Sequence, residues 1–324
     1  MSSMILWGFD RPLEMADIKP SLPAEGEVFV KLRMASLNKR DYWITKGKYP
    51  GIVFPLVLGS DGAGFVDGRE VIINPGLDWG SDPDHFSPDF RILGMPDFGT
   101  LAHIVKVPEI NLHDKPAHLS WEEAAALPLC GVTAYRAMMT RGRAKTAERM
   151  LVTGIGGGVA SMAMLFGIAL GMDVWVTSSS DHKIDMAVSN GASGGVNYSR
   201  HTWDAELAEK AKGRFDLVID GAGGSDFSKI MQMMNPRGRI VVYGGTRGKI
   251  EDLSPQRIFW KQIDILGSTM GSPEDFSDML EFVNKHQIKP IVSHTFSLDQ
   301  ANEALAVIAN GDQFGKICID IPGQ

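Results

Sequence analysis

Apolar and polar positions along the chain change rhythm near residue 120. Before it, short apolar runs stand between clusters of Gly, Pro and Asp: VFVKLRM (28–34), GAGFV (62–66), EVIINP (70–75) and AHIVKV (102–107). Short β-like runs bounded by turn formers predict a small antiparallel or barrel-like unit. A polar loop, GLDWGSDPDHFSPDFRILGMPDFG, fills positions 76–99, and loops of that length often shape a site or an interface.

Beyond residue 120, WEEAAALPLCGVTAYRAMM predicts a helix broken around Pro128. The runs RMLVT, DVWVTS, FDLVID, RIVVYG and IDILG then alternate with helical stretches, which predicts a parallel sheet covered on both faces. The tail returns to helix in SPEDFSDMLEFVNKH (272–286) and SLDQANEALAVIANG (297–311), then to a terminal strand, KICIDI. Residues 154–176 are nearly uncharged and imitate a membrane helix in length. Their glycines, and Asp173, fit a buried helix and a second strand better.

Four glycines, Gly154, Gly156, Gly157 and Gly158, lie between the run RMLVT and the helix that follows. With DVWVT as the next strand this is a complete βαβ unit, in which bare backbone and a helix N-terminus can hold a dinucleotide pyrophosphate. The literal G-x-G-x-x-G fingerprint is not present: Ile155 stands at the first position, Gly157 keeps the middle one and Ala160 takes the last. A tight turn without a ligand is the plain alternative; the flanking strand, helix and strand favour the nucleotide. Where NAD-binding proteins carry an acid after the second strand, this chain has Ser178, Ser179 and Ser180, with Lys183 beyond. Hydroxyls and a cation suit the 2′-phosphate of NADP, which a carboxylate would repel. Asp181 weighs against that choice, and the three serines have a second reading as a cap for the next helix.

Composition changes the picture only at the margins. The 324 residues suggest two domains; 44% are hydrophobic and 22% charged, an ordinary globular mixture. The net charge of −7 excludes a general nucleic-acid surface. The basic cluster Arg136, Arg141, Arg143, Lys145 and Arg149 reads as a solvated helix and turn. Cys130 and Cys318 are too few for a disulfide framework, and the N-terminus lacks a secretory pattern, so a soluble, cytoplasmic protein with no membrane partner is expected.

The segments VKLRMASLNKRDYWITKGKYP, PLVLGSDGAGFV and ALPLCGVTAYRAM, the glycine turn and the final GKICID, in that order, closely resemble the medium-chain dehydrogenase/reductase superfamily over nearly the whole chain. The resemblance is strongest to its quinone oxidoreductase and zinc-type alcohol dehydrogenase-like branches. It implies an α/β fold in which a Rossmann dinucleotide-binding domain (126–268) is inserted in a GroES-like, mostly β catalytic domain (1–125 and 269–324), with the active site in the cleft. Homodimerisation through the Rossmann sheet edge is also implied.

In the zinc alcohol dehydrogenases the catalytic ion takes a Cys from the first motif, a His from the second and a Cys from the third. The matching positions hold Asn38, Ser60 and Leu129, with Cys130 one residue away, and the 76–99 loop has no Cys for a structural zinc lobe. Zinc needs three N, S or O protein ligands, so no metal is expected. Without a Lewis acid, hydride transfer to a simple ketone loses its usual stabilisation, whereas quinones and α,β-unsaturated carbonyl compounds delocalise the incoming charge. The expected activity is NADPH-dependent, metal-independent reduction of such acceptors. The alternatives are an alcohol dehydrogenase or enoyl-thioester reductase and, of another class, a non-catalytic NADP-binding sensor.

The resemblance implies that Asn38, Asp41 and Tyr49 face the nicotinamide and substrate. Asn38 would donate its amide to the substrate carbonyl, and Tyr49 a hydrogen bond or proton. Each has a plainer reading: Asn38 as a turn former, Asp41 as a cap, Tyr49 as packing. Trp43 stands where quinone reductases often carry Tyr. Thr133 is implied on the nicotinamide side, Gly156, Gly157, Gly158 and Val159 beside the pyrophosphate, and Lys183 and Tyr198 at the adenosine phosphate. Tyr243, Gly244 and Gly245, then Met270 and Gly271, end successive strands, where ligands of such sheets gather.

Overall fold

The strand Glu27–Leu37 is the spine of the first unit of the computed structural model, which describes residues 2–18 and 20–322. Val30 and Leu32 are buried while Lys31 between them is exposed, the alternation of a half-covered strand; after a register shift between Leu32 and Met34, Met34–Leu37 are all buried. It pairs antiparallel with Asp61–Val66, Ile104–Pro108 and Lys316–Asp320. The sheet runs Leu112–Asp114, Arg69–Ile73, Asp61–Val66, Glu27–Leu37, Lys316–Asp320, Val292–Ser297, with Ile104–Pro108 beside the spine. A three-stranded sheet of Glu14–Asp17, Ser2–Leu6 and Leu56–Val57 covers the same apolar core, which includes Ile5, Leu58, Ile73, Leu101 and Ile319.

This unit comprises the chain up to Val132 and again from Gly271. The returning segment begins with the helix Pro273–His286, whose N-terminus is closed by Ser272 and Asp275: Asp275 N–H donates to Ser272 Oγ (3.1 Å) and Ser272 N–H to Asp275 Oδ2 (2.9 Å). The helix Ala301–Asn310 then joins the parallel strands Val292–Ser297 and Lys316–Asp320. The last strand therefore lies against Leu37, the residue before Asn38.

Residues 133–270 form the second unit. Its six strands are parallel, in the order Gly194–Asn197, Asp173–Ser178, Arg149–Val152, Phe215–Asp220, Met234–Val242, Asp264–Gly267. Read in chain sequence this is the doubly wound order 3-2-1-4-5-6 of dinucleotide-binding sheets. The chain is thus α/β, with a parallel-sheet unit inserted in a mostly β one. Five of the six strands are the apolar runs of the sequence. The sixth, Gly194–Asn197, reads GGVN and resembles a turn. Its glycines are there for packing, since a Cβ on Gly194 would lie 2.6 Å from the Trp175 ring.

The predicted helix around Pro128 is in fact three pieces: Trp121–Ala126, Pro128–Tyr135 and a π-helical turn, Arg136–Arg141. Among the described residues no helix is long and apolar enough to cross a membrane. The stretch 154–176 is the helix Gly158–Ala169 and part of the strand Asp173–Ser178.

Candidate active site

In the parallel-sheet unit the glycine turn is fastened to the neighbouring strand. Ile155 N–H donates to Thr177 O (2.8 Å) and Gly154 N–H to Thr177 Oγ1 (3.3 Å). Gly154 and Gly156 have φ of +66° and +118°, which only glycine adopts without strain. Gly157 differs. Its φ is −79°, and a Cβ added there would meet nothing within 4 Å. Neither backbone nor packing requires glycine at 157, which leaves open space above a bare peptide at the start of a twelve-residue helix, Gly158–Ala169. The first intrahelical bond runs from Ser161 N–H to Gly157 O (2.9 Å), so the N–H groups of Gly158, Val159 and Ala160 precede the ladder. Bare peptides, helix-end N–H groups and free space fit a dinucleotide pyrophosphate.

The strand next to this turn ends in Ser178, which is buried, with Ser180 N–H donating to its Oγ (3.2 Å). Ser180 is the N-cap of the helix Asp181–Ser189 and accepts from Lys183 N–H (3.4 Å), so the capping reading holds for that serine. Ser179 is exposed and Lys183 half-buried. Asp181, the acid that weighs against NADP, is paired with Arg200 (2.9 Å). Tyr198 N–H donates to Ser178 O (2.9 Å), and the Arg247 guanidinium lies 4.9 Å from the Tyr198 ring centroid while pairing with Asp226.

Elsewhere in this unit Thr133 and Met270 come together, Thr133 Oγ1 lying 3.8 Å from Met270 Sδ, and Met270 holds φ of +44°. Gly244 and Gly245 follow the strand Met234–Val242; the Tyr243 ring lies over Gly221, where a Cβ would collide with it. Gly271 belongs to the other unit, where a Cβ would collide with Val132, so packing explains that glycine. One group was not read from the sequence: the fully buried Asp220. It accepts from Thr153 Oγ1 (2.6 Å) and Gly223 N–H (3.0 Å), fixing the loop that faces the glycine turn across the topological switch point.

The first unit holds a second cluster, built on the N-terminus of the helix Lys39–Thr45. Asn38 N–H donates to Asp41 Oδ2 (2.7 Å), and Gly59 N–H to Asp41 Oδ1 (3.2 Å). Asp41 is fully enclosed; burial holds its carboxyl above the usual range, against the nearby Arg40 guanidinium and the Asn38 N–H. Both its oxygens are spent on backbone N–H groups, and these bonds hold the peptide that carries Asn38. The Asn38 side chain is itself engaged. Nδ2 donates to Asp61 Oδ2 (2.8 Å), and Oδ1 accepts from Lys316 Nζ (2.6 Å) and Cys130 Sγ (3.2 Å). Lys316 also donates to Asp61 Oδ2 (2.7 Å), whose Oδ1 accepts from Leu129 N–H (2.8 Å). Tyr49 is half-buried, its ring 5.6 Å from the Arg40 guanidinium, and Lys48 lies 4.1 Å from the Trp43 ring.

Burial pulls the Lys316 ammonium down, but Asp61, with its charge and hydrogen bond, outweighs this and the ammonium is held at about 12. Burial pushes the Cys130 thiol up to about 11, so it stays protonated and donates to Asn38. Lys316 and Asp61 were not expected here. Their only signal was a charge at the first position of each of two largely apolar strands, KICID, which also ends in Asp320, and DGAGFV.

This donor set does not fit zinc. Asn38 and Cys130 surround an ammonium, and Ser60 Oγ accepts from the Arg40 guanidinium (2.6 Å), so two fixed organic cations meet the groups at the ligand positions. Among the described residues no group of three or more His, Cys, Asp or Glu could hold a metal ion.

Residues 24–117 match the family model of the alcohol dehydrogenase GroES-like domain, and residues 158–285 that of the zinc-binding dehydrogenases. The chain is 37% identical to a zinc-type alcohol dehydrogenase-like protein, YogA, of Leptosphaeria maculans, across 96% of this chain and 95% of that protein. A crystal structure of an NAD-dependent alcohol dehydrogenase superposes with a TM-score of 0.92 at 33% identity, covering 99% of this chain and 100% of the other. The quinone oxidoreductase of Thermus thermophilus, solved also in complex with NADPH, superposes with a TM-score of 0.82 at 25% identity, over 99% and 100%.

Proposed function

The chain belongs to the medium-chain dehydrogenase/reductase superfamily and is an oxidoreductase of that class; from this premise we propose that it is an NADPH-dependent, metal-independent reductase of quinones or α,β-unsaturated carbonyl compounds. The observation that carries the reading is the occupation of the ligand positions by the Lys316 and Arg40 contacts described above. Acceptors that delocalise incoming charge need no Lewis acid.

NADPH, when bound, would supply the hydride that reduces the acceptor, with a proton completing the reduction. The glycine turn, with Val159 beside it, would hold the pyrophosphate on bare peptides, and the open space over Gly157 supports that assignment. Ser178, Ser179, Ser180, Lys183 and Tyr198 surround the end of the second strand without a free carboxylate among them, which supports NADP over NAD. The alcohol dehydrogenase match is NAD-dependent and the quinone oxidoreductase was solved with NADPH, so relatives support each choice. Thr133, Met270, Tyr243, Gly244 and Gly245 complete the strand-end surface for the cofactor.

On the acceptor side, Asn38 would donate its second Nδ2–H to the oxygen that gathers negative charge, a contribution of the oxyanion-hole kind. Asp41 and Gly59 hold the backbone that presents it. Tyr49, with a guanidinium over its ring, would deliver the proton. The homodimer belongs to the same reading. Asp264–Gly267 ends the parallel sheet, and the helix Pro255–Lys261 just before it exposes Phe259 and Trp260.

The test is NADPH oxidation against benzoquinone, cyclohexenone and an acrylyl thioester. Turnover of the first two, with NADPH preferred to NADH, is the expected result. Thioester turnover alone would move the enzyme to the enoyl-thioester reductases. Binding of NADPH with no turnover of any acceptor would leave a sensor.

A further inference from the structure

We propose that Lys316 is a positioning residue for this reaction: its ammonium fixes and polarises the Asn38 amide, making the remaining Nδ2–H a stronger donor to the acceptor oxygen. The inference rests on the reading of Asn38 given above and extends it one residue inward.

Three features carry it. The first is orientation. Asn38 Oδ1 receives the Lys316 ammonium at 2.6 Å and the Cys130 thiol at 3.2 Å, while Nδ2 faces the Asp61 carboxylate at 2.8 Å. An amide turned end for end would aim N–H at an ammonium and oxygen at a carboxylate, so the charges on Lys316 and Asp61 select one orientation. The second is polarisation. Two donors on Oδ1, one of them charged, draw density from the carbonyl, and amide resonance passes the deficit to the nitrogen. Hydrogen-bonded chains in a low-dielectric interior strengthen in this way by about 10–30% per bond. The third is supply of donors. An Asn amide has two N–H groups; one is spent on Asp61, and Asn38 keeps 6% of its surface exposed.

The ammonium thereby supplies part of what a metal would, polarisation toward the developing oxyanion, here transmitted through one amide. Lys316 itself is only 3% exposed, so its effect would pass through Asn38. Its place is set by the sheet, since the strand that begins with Lys316 pairs with the strand that ends just before Asn38.

The experiment combines kinetics with NMR on the full chain. Lys316→Met removes the charge at similar length, and Lys316→Arg keeps it. The double variant Lys316→Met with Asp61→Asn avoids a buried unpaired carboxylate if the single variant does not fold. With benzoquinone and cyclohexenone, both neutralising variants are expected to lower kcat about tenfold to a hundredfold while the KM for NADPH stays within about twofold. In an Asn38→Ala background the same change should cost little more, because Lys316 acts through Asn38. In the free protein, the Asn38 side-chain N–H resonances, assigned by their loss in Asn38→Ala, should move upfield when the charge is removed and stay nearly in place in Lys316→Arg. Additive losses of kcat, or amide resonances indifferent to the charge at 316, overturn the proposal. Should the wild-type protein reduce none of these acceptors, the proposed function fails, and the resonances alone still decide whether Lys316 polarises Asn38.

Discussion

Lys316 Nζ and Asp61 Oδ2 lie 2.7 Å apart, with 3% and 0% of their side chains exposed. The pair is held by further bonds to Asn38 and Leu129, so neither charge is left to the apolar core. Breaking such a pair leaves one charge buried and uncompensated, which costs about 3–5 kcal/mol. Asp61→Ala is therefore expected to lower the unfolding free energy by that amount. Asp61→Ala with Lys316→Met should recover a good part of it. Denaturant titration with an unchanged m-value checks both.

The same cluster sets the alkaline limit of the fold. Lys316 is held at about 12 against an ordinary 10.5, and Cys130 at about 11 against 9.0. Both folded values are raised, so each contribution is fully present below the unfolded value and is lost as pH rises through the folded one. From these two groups stability should fall from about pH 9 upward, Lys316 accounting for roughly 2 kcal/mol by pH 12. Unfolding midpoints measured across that range check the sign, and Cys130→Ser should make the fall shallower, while the buried Cys318, raised from 9.0 to about 12, keeps its onset in place. A midpoint that climbs above pH 9 would contradict the burial argument.

Gly157→Leu separates ligand approach from folding. The site has an ordinary φ and nothing within 4 Å of an added Cβ. The thermal midpoint should move by no more than about 2 °C, while the Kd for NADPH rises at least about tenfold. Calorimetry on wild type and variant gives both numbers. An unchanged Kd would leave the turn without a ligand.

Cofactor choice is tested at Lys183. Lys183→Ala should raise the Kd for NADPH about tenfold and that for NADH by less than about twofold, since only the former carries the extra phosphate. Equal losses would mean that Lys183 acts on the helix Asp181–Ser189 rather than on the phosphate.

The order of elements was legible because five of the six strands of the parallel sheet are short apolar runs, several of them followed by glycine turns. What escaped was set by tertiary contact. Gly194–Asn197 pairs with Asp173–Ser178, and Trp175 and Val176 pack on its glycines. The π-helical turn at Arg136–Arg141 left no mark in periodicity. In the site, Asn38 was visible from its motif and Gly157 from its place between strand and helix. The partners of Asn38 were not. Lys316 is 278 positions away and reaches it only because the last strand closes the first sheet. Asp41 was visible as an acid beside Asn38, but its burial, and hence its turn toward the backbone, depends on Gly59 and the core around it.

The central claim is hydride transfer without a metal. The most direct measurement is NADPH oxidation by benzoquinone and cyclohexenone on protein dialysed against a strong chelator, with metal content determined on the same sample. The account predicts full activity at negligible metal content, with added zinc giving no increase. Activity lost on chelation and restored by zinc would contradict it.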